Sequence, residues 1–427
     1  MKRAFSLALT ALLLAGCTAA PAASGDAAAS AEPAPSPAAA ENTEATATAS
    51  TEPLRKMQNG DEAQYCTQQS TPSGLLVYHV VDLTTGENTI PCDVEGCTHD
   101  TADCPAVTDE LPSAQPLVLD ENTVVIFSWA GEVSGLAPSG EASNITLADR
   151  QCHDRRLLAS IPGTHLELNN GVFTDGQALY VSGWEGGGVS FYRIQLADGR
   201  VDKLGQNQPA AYLVGAMDRE LVYCYTAPSS STGESAAYGL SAGATVHNLL
   251  NVDTGAVREL YTYPSDDNAV NYGDAAVIDG QYYLPDRTAG TLSTLDPATG
   301  ESRQITDQLP TTEPGTYANY RPQAVLDGWM VFYDLPVIVN VETGEVRQRI
   351  DLPENYWNGY GHQPSIFLQL KDRLLVDCRY EPYTRTDPGT DGTPVSTKTE
   401  RMYLGLISIE DFLNGVPNYT EVCEGPY

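Results

Sequence analysis

A two-part phrase recurs along this chain and restricts its fold more than any other feature. Its first half is an acidic turn leading into an apolar, β-prone run: Leu119-Asp120-Glu121 before Val124-Val125-Ile126-Phe127, Thr174-Asp175-Gly176 before Ala178-Leu179-Tyr180-Val181, and Met217-Asp218-Arg219 before Leu221-Val222-Tyr223. It returns at Ile278-Asp279-Gly280, Leu326-Asp327-Gly328 and Leu370-Lys371-Asp372. The second half is a strand ending in a turn, at Asp82-Leu83-Thr84-Thr85-Gly86-Glu87, Asp253-Thr254-Gly255, Asp296-Pro297-Ala298-Thr299-Gly300-Glu301 and Val341-Glu342-Thr343-Gly344-Glu345. Glycine supplies the positive φ of a tight hairpin, and Asp or Thr bonds the turn backbone. Successive first halves lie about 43 to 61 residues apart, the period of four-stranded blades rather than of helical repeats. The predicted fold is all-β, a β-propeller.

Seven second halves can be placed, at Leu76 to Glu87, Ile145 to Ser160, Phe191 to Lys203, Leu249 to Leu260, Leu292 to Gln304, Ile338 to Ile350 and Tyr403 to Gly415. Seven blades are therefore expected, with six as the alternative if the Cys-rich stretch lies outside the ring. The chain is expected to enter in blade 1 and close against its C-terminal segment, so that no sheet edge stays open there.

The N-terminus reads as a targeting segment. Lys2 and Arg3 precede the short apolar run Ala4 to Ala15, which is too short to span a bilayer as a helix. It ends in Leu14-Ala15-Gly16-Cys17, which resembles a bacterial lipobox, and Cys17 is the expected lipidation site. Residues 1–17 are assigned to the signal peptide, 18–56 to a disordered Ala/Pro/Ser/Thr-rich tether, and 57–427 to the propeller. The tether lacks the apolar residues that would offset the entropy of ordering. Its coil reach of about 30–36 Å is enough to lift a folded body off a membrane. The expected location is extracytoplasmic, anchored to the bacterial membrane by lipid alone.

A net charge of −33 repels nucleic acid and anionic lipid surfaces, so neither is an expected partner. The charge suits a soluble monomeric body.

Chemistry-bearing residues gather most densely in Cys92-Asp93-Val94-Glu95-Gly96-Cys97-Thr98-His99-Asp100-Thr101-Ala102-Asp103-Cys104. Cys92, Cys97, His99 and Cys104 supply four soft ligands, enough to close a structural zinc site. Two features weigh against metal: the spacing matches no common zinc motif, and one residue between Cys97 and His99 makes it awkward for both to face one ion. In an exported protein the same cysteines can form disulfides among themselves or with Cys66 or Cys152, and Cys152-His153 can join either arrangement. Four nearby protein ligands would leave no open position for metal catalysis. Cys224 and Cys378, within apolar strands, read as small core fillers.

Other motifs carry less. Gly239-Leu240-Ser241-Ala242-Gly243 has the pattern of a hydrolase nucleophile elbow but lacks the strand before and helix after that such a serine needs. Asp120, Asp175, Asp218, Asp279 and Asp327 recur at equivalent points, as turn chemistry requires. Asp266-Asp267-Asn268 and Asp387 to Gly392 offer oxygen ligands without the spacing of an EF-hand loop. Tyr356 to His362 can form an aromatic lip. Insertions at Glu132 to Ser143, Ala227 to Thr245 and Glu381 to Lys398 are expected to be loops on the rigid ring. Ser408 to Leu413 reads as one helical turn, capped by Ser408 and stopped by Gly415. No phosphate loop, zinc-protease His pair or dinucleotide glycine fingerprint occurs.

The lipobox with its tether, the repeated Asp-Gly turns before Tyr-bearing strands, the Asp-x-x-Thr-Gly-Glu phrases and the Cys92/Cys97/His99/Cys104 stretch resemble the TolB-like or quinoprotein-like β-propeller lipoproteins of gut Firmicutes. The resemblance covers about residues 60 to 424. It implies the fold and an exported, lipid-anchored location, and it transfers no catalytic residue, since that group generally has no assigned activity. Quinone-dependent dehydrogenases share the Asp-x-x-Thr-Gly turns but carry a regular tryptophan per blade, whereas only 4 Trp occur here. No catalytic residue and no further cofactor is assigned. The expected function is a binding or scaffold module for a protein or glycan partner. The alternative is a glycan-active hydrolase or lyase using carboxylates around the channel.

Overall fold

The computed structural model describes residues 50–425, apart from 71–75, 102–103, 109–115, 130–141, 169–170, 186–187, 209–210, 227–243, 264–273, 312–319, 334, 350–363 and 389–393. Seven antiparallel sheets follow one another along the chain, and the protein is a seven-bladed β-propeller. Blade 2 is typical: Leu117–Val118 lines the channel and is followed outward by Thr123–Trp129, Ala142–Asp149 and Arg156–Pro162. The inner strands of blades 4, 5 and 6 are Ala211–Met217, Ala276–Ile278 and Pro322–Leu326.

The recurrent phrases are the two hairpin types of each blade. Ile278 pairs with Gln281 and Leu326 with Trp329, leaving Asp-Gly as a two-residue loop. Positive φ at Asp279, Gly280, Asp327 and Gly328 makes these type I′ turns, whose twist suits the strands they join. In the second type, one side-chain oxygen accepts two backbone N–H groups. Asp82 Oδ1 takes Thr84 and Thr85 N, and Asp296 Oδ1 takes Ala298 and Thr299 N. Asn251 and Asn340 do the same in blades 4 and 6. In blade 4 the turn therefore begins at Asn251, not at Asp253.

Apolar side chains fill the gaps between blades. Phe191 of blade 3 meets Tyr223 of blade 4 with ring centroids 4.7 Å apart. Each such buried aromatic or leucine contributes about 1.5–3 kcal/mol. Closure uses the same packing: Tyr65 and Val81 of blade 1 lie against Leu375, Leu404 and Cys423 of blade 7. Gln69 Nε2 also donates to Glu424 O across 2.9 Å. Every blade draws its core strands from one continuous stretch of chain.

Two features differ from the sequence reading. Residues 50–56, assigned to the tether, include a strand of the ring: Arg55–Lys56 pairs with Phe173–Thr174 on the channel side of blade 3. Around it, Leu54 N donates to Asp218 O of blade 4, Met57 N to Val172 O of blade 3, and Val118 N of blade 2 to Gln58 O. This strap thus crosses three blades before entering the first. The expected loop Glu381 to Lys398 belongs instead to a long hairpin, Arg373–Pro388 with Pro394–Ser408, paired out to Pro388 and Pro394. The helical turn is present as Ile409–Asn414, with Ser408 Oγ accepting from Asp411 N at 3.0 Å and Gly415 at φ 66°.

Candidate functional site: a cysteine-histidine cluster and a channel cavity

Blade 1 lacks a continuous outer strand. Asn88–Thr89 pairs with Val80 and Val81, and Val107–Thr108 pairs with Leu76 and Val77. Between these two short pieces the chain leaves the sheet edge, carrying the Cys-rich stretch. Gly96 at φ 76° and His99 at φ 56° curl the excursion back on itself. The donor atoms of Cys92, Cys97, His99 and Cys104 consequently lie within 4.8 Å of one another. His99 Nδ1 stands 3.3 Å from Cys104 Sγ. The left-handed backbone at His99 is what lets residues two apart face one point, against the expectation from spacing alone.

Ligands about 2.3 Å from a tetrahedral zinc stand about 3.8 Å apart, so small movements would close this group on an ion. Cys104 is buried beside Val77 and Ala106, and burial pushes its thiol up to about 11. The backbone N–H of His99 holds the Cys97 thiol below its ordinary value. The structure records the eight cysteines from Cys66 to Cys423 as free thiols. Cys152 stays out of the cluster, buried with Cys66 between blades 1 and 2. His153 Nε2 instead approaches Asp93 of the excursion, at 3.6 Å.

The second feature is a cavity of about 480 Å³ in the central channel, between the strap and the inner strands of blades 4, 5 and 6. Phe173, Val214, Ala276 and Ile278 give it apolar walls, and Lys56, Gln58, Arg321 and Gln323 bring polar groups. Lys56 has solvent-accessible surface although protein surrounds it, as expected of a side chain standing in a channel. Its ammonium is held below the usual lysine value, first by desolvation and then by Arg321. Asp218 and Asp279 line the cavity at turns that end inner strands. Sequence reasoning singled out both aspartates for their turns but missed Lys56, Gln58, Arg321 and Gln323, which no local motif joins.

Most other sequence candidates are structural or lie elsewhere. His247 is fully buried in blade 4, edge-on to the Tyr282 ring, and desolvation lowers its pKa to about 3. Cys224 is a buried filler whose thiol burial raises to about 12. Cys378 is only half-buried. Asp175 and Asp120 accept turn N–H groups. Gly239 to Gly243, Asp266 to Asn268 and Tyr356 to His362 lie outside the described residues, as do residues 389–392 of the stretch from Asp387.

No family model matches the chain, and no curated protein matches it. Among solved structures it is similar to TolB from Acinetobacter baumannii, with 10% identity and a TM-score of 0.36 over 85% of this chain and 79% of that one. It is similar to Saccharomyces cerevisiae Sqt1, with 9% identity and a TM-score of 0.41 over 88% and 97%. An oligogalacturonate lyase in complex with manganese aligns with 10% identity and a TM-score of 0.36 over 67% and 76%. Likeness at this level transfers no activity and no residue role.

Proposed function

We propose that the chain is a membrane-tethered extracytoplasmic binding module, held by lipid on Cys17, with the channel cavity as the seat for a glycan or protein-derived ligand. The observation that carries this reading is the cavity of about 480 Å³, within the size range of small-molecule sites. Its lining supports binding over catalysis. A hydrolase or lyase would need several carboxylates or histidines converging on the channel, whereas among the described residues the acids in the lining are Asp218 and Asp279, both at turns. The net charge of −33 suits a monomeric module that avoids nucleic acid.

The test is calorimetry and a turnover assay on the full chain with cell-wall fragments, dietary glycan oligomers and short peptides. Binding without turnover is expected. Turnover abolished by Asp218→Asn or Asp279→Asn would establish the enzymatic reading instead. For the anchor, Cys17→Ala is expected to abolish palmitate labelling and release the protein from the membrane fraction.

The same reading takes the cluster of Cys92, Cys97, His99 and Cys104 as a structural zinc site, supported by the convergence of its four donor atoms. Such a site is closed and supplies folding energy rather than chemistry. Full chain purified without chelator or added metal is expected to carry one zinc per chain by elemental analysis, and Cys92→Ser or Cys104→Ser to carry none. Thiols oxidised in pairs in the purified protein, with no zinc, would overturn this.

A further inference from the structure

We propose that Cys66 and Cys152 form a disulfide that staples blade 1 to blade 2. This rests on the reading of the chain as extracytoplasmic, where thiols meet disulfide donors, and it leaves the cluster of Cys92, Cys97, His99 and Cys104 untouched.

The two cysteines meet from different blades. Cys66 lies on the inner strand of blade 1, Gln64–Ser70, and Cys152 in the turn that joins Ala142–Asp149 to Arg156–Pro162 in blade 2. They are 0% and 1% exposed and share one inter-blade core with Tyr78, Val118 and Val124. Within that core the two thiols are hydrogen-bond partners. The backbones on both sides of the contact are fixed. Cys66 N donates to Asn59 O at 2.6 Å, and Cys152 N to Asp149 O at 2.9 Å. The Gln64 amide crosses between the blades, donating from Nε2 to Arg150 O at 2.9 Å while standing 3.6 Å from Cys66 Sγ. Arg150 in turn binds Asp61 at 2.7 Å. Cys152 keeps its place with a left-handed backbone, φ 61°, which residues other than glycine seldom adopt. The sulfurs therefore have only to close from hydrogen-bond contact to bonding distance.

The other described cysteines outside the metal cluster lack such a partner. Cys378 and Cys423 stand on strands that flank Pro394–Ser408, so their backbones are about 9–10 Å apart, beyond the roughly 7 Å that a disulfide spans. The core around Cys224 in blade 4 holds no second cysteine among the described residues.

The bond forms by two thiol exchanges. Cys152, next to the exposed Gln151, attacks a disulfide donor as a thiolate before blade 1 packs over it, and one donor thiol leaves. The Cys66 thiolate then attacks the Cys152 sulfur of the mixed disulfide and expels the second donor thiol. In all, the two cysteines lose two protons and two electrons, and the donor disulfide is reduced to two thiols. The closed bond ties the entry strand of blade 1 to a turn late in blade 2, and so constrains a long stretch of the unfolded chain.

The experiment uses the full chain in two samples. One is isolated from the membrane fraction with thiols blocked by N-ethylmaleimide at lysis, and the other is refolded from denaturant in a glutathione redox buffer. Non-reducing proteolysis with mass spectrometry is expected to recover one peptide pair cross-linked through Cys66 and Cys152 in each. Reduction is expected to lower the melting temperature by about 5 °C, and Cys152→Ser to lose that response. Should the variant fail to fold, the cross-linked peptide of the parent decides alone. Both cysteines recovered from the membrane fraction as maleimide adducts would overturn the inference, as would either of them cross-linked to a different cysteine. Absence of the chain from the membrane fraction would overturn the extracytoplasmic reading instead, and the refolded sample would then decide the disulfide.

Discussion

Asp175 illustrates what the recurrent acidic turns become once the chain folds. Its Oδ1 accepts Gln177 N at 3.0 Å and Ala178 N at 2.9 Å, which is the turn role visible in the sequence. Its Oδ2 takes the Tyr180 hydroxyl at 2.9 Å and Arg219 Nη1 at 2.8 Å, which no local pattern announces. Burial alone would raise this carboxyl, but Arg219 and the turn N–H groups outweigh burial and hold it below the ordinary range. The side chains of Asp175 and Arg219 are 2% and 11% exposed, so the pair is screened little. Asp175→Ala should destabilise by about 2 kcal/mol, because it removes one of the two carboxylates on the Arg219 guanidinium and leaves the Tyr180 hydroxyl and two turn N–H groups without their acceptor. Denaturant unfolding of parent and variant at pH 7 checks this. The depressed pKa also sets a sign: its stabilisation is present above about pH 4 and is lost as pH falls through the folded-state value. Acid titrations of parent and Asp175→Asn should converge below that point.

Within the blades, backbone approach decides what is tolerated. Gly215 sits at a bulge where Ala211–Met217 pairs with Glu220–Thr226. A Cβ there would stand 2.4 Å from Val277 Cβ of blade 5. Gly215→Ala should therefore cost about 1–3 kcal/mol by overpacking, read as a lower unfolding midpoint with an unchanged m-value. The helix Ile409–Asn414 is the opposite case, since cap, acidic first turn and glycine stop all follow one another in the sequence. Ser408→Ala should cost about 1 kcal/mol in the same assay. The cap was legible because its partners lie within a few residues. The close approach at Gly215 was not, because Val277 belongs to another blade.

For the ring as a whole, the strap is the feature with the largest consequence. Leu54 and Met57 are buried against blades 3, 4 and 2, and the backbone between Leu54 and Gln58 bonds to all three. A chain beginning at residue 50 should melt as the full chain does, whereas one beginning at Asp61 should melt several degrees lower. Differential scanning calorimetry of the two distinguishes a structural strap from a passive tether. The sequence by itself determined the repeat, the turn chemistry, a ring of seven or six blades and the composition of the cysteine-histidine stretch. Each of these is written in contacts between residues close along the chain, where Asp, Gly and Thr act on their own neighbours. Only the tertiary structure decided that residues 54–58 lie in the channel, that His99 turns toward the same point as Cys97, and that Lys56 and Arg321 share a cavity. Those outcomes depend on closing a ring whose facing side chains come from distant blades, and such closure leaves no periodic trace in the chain.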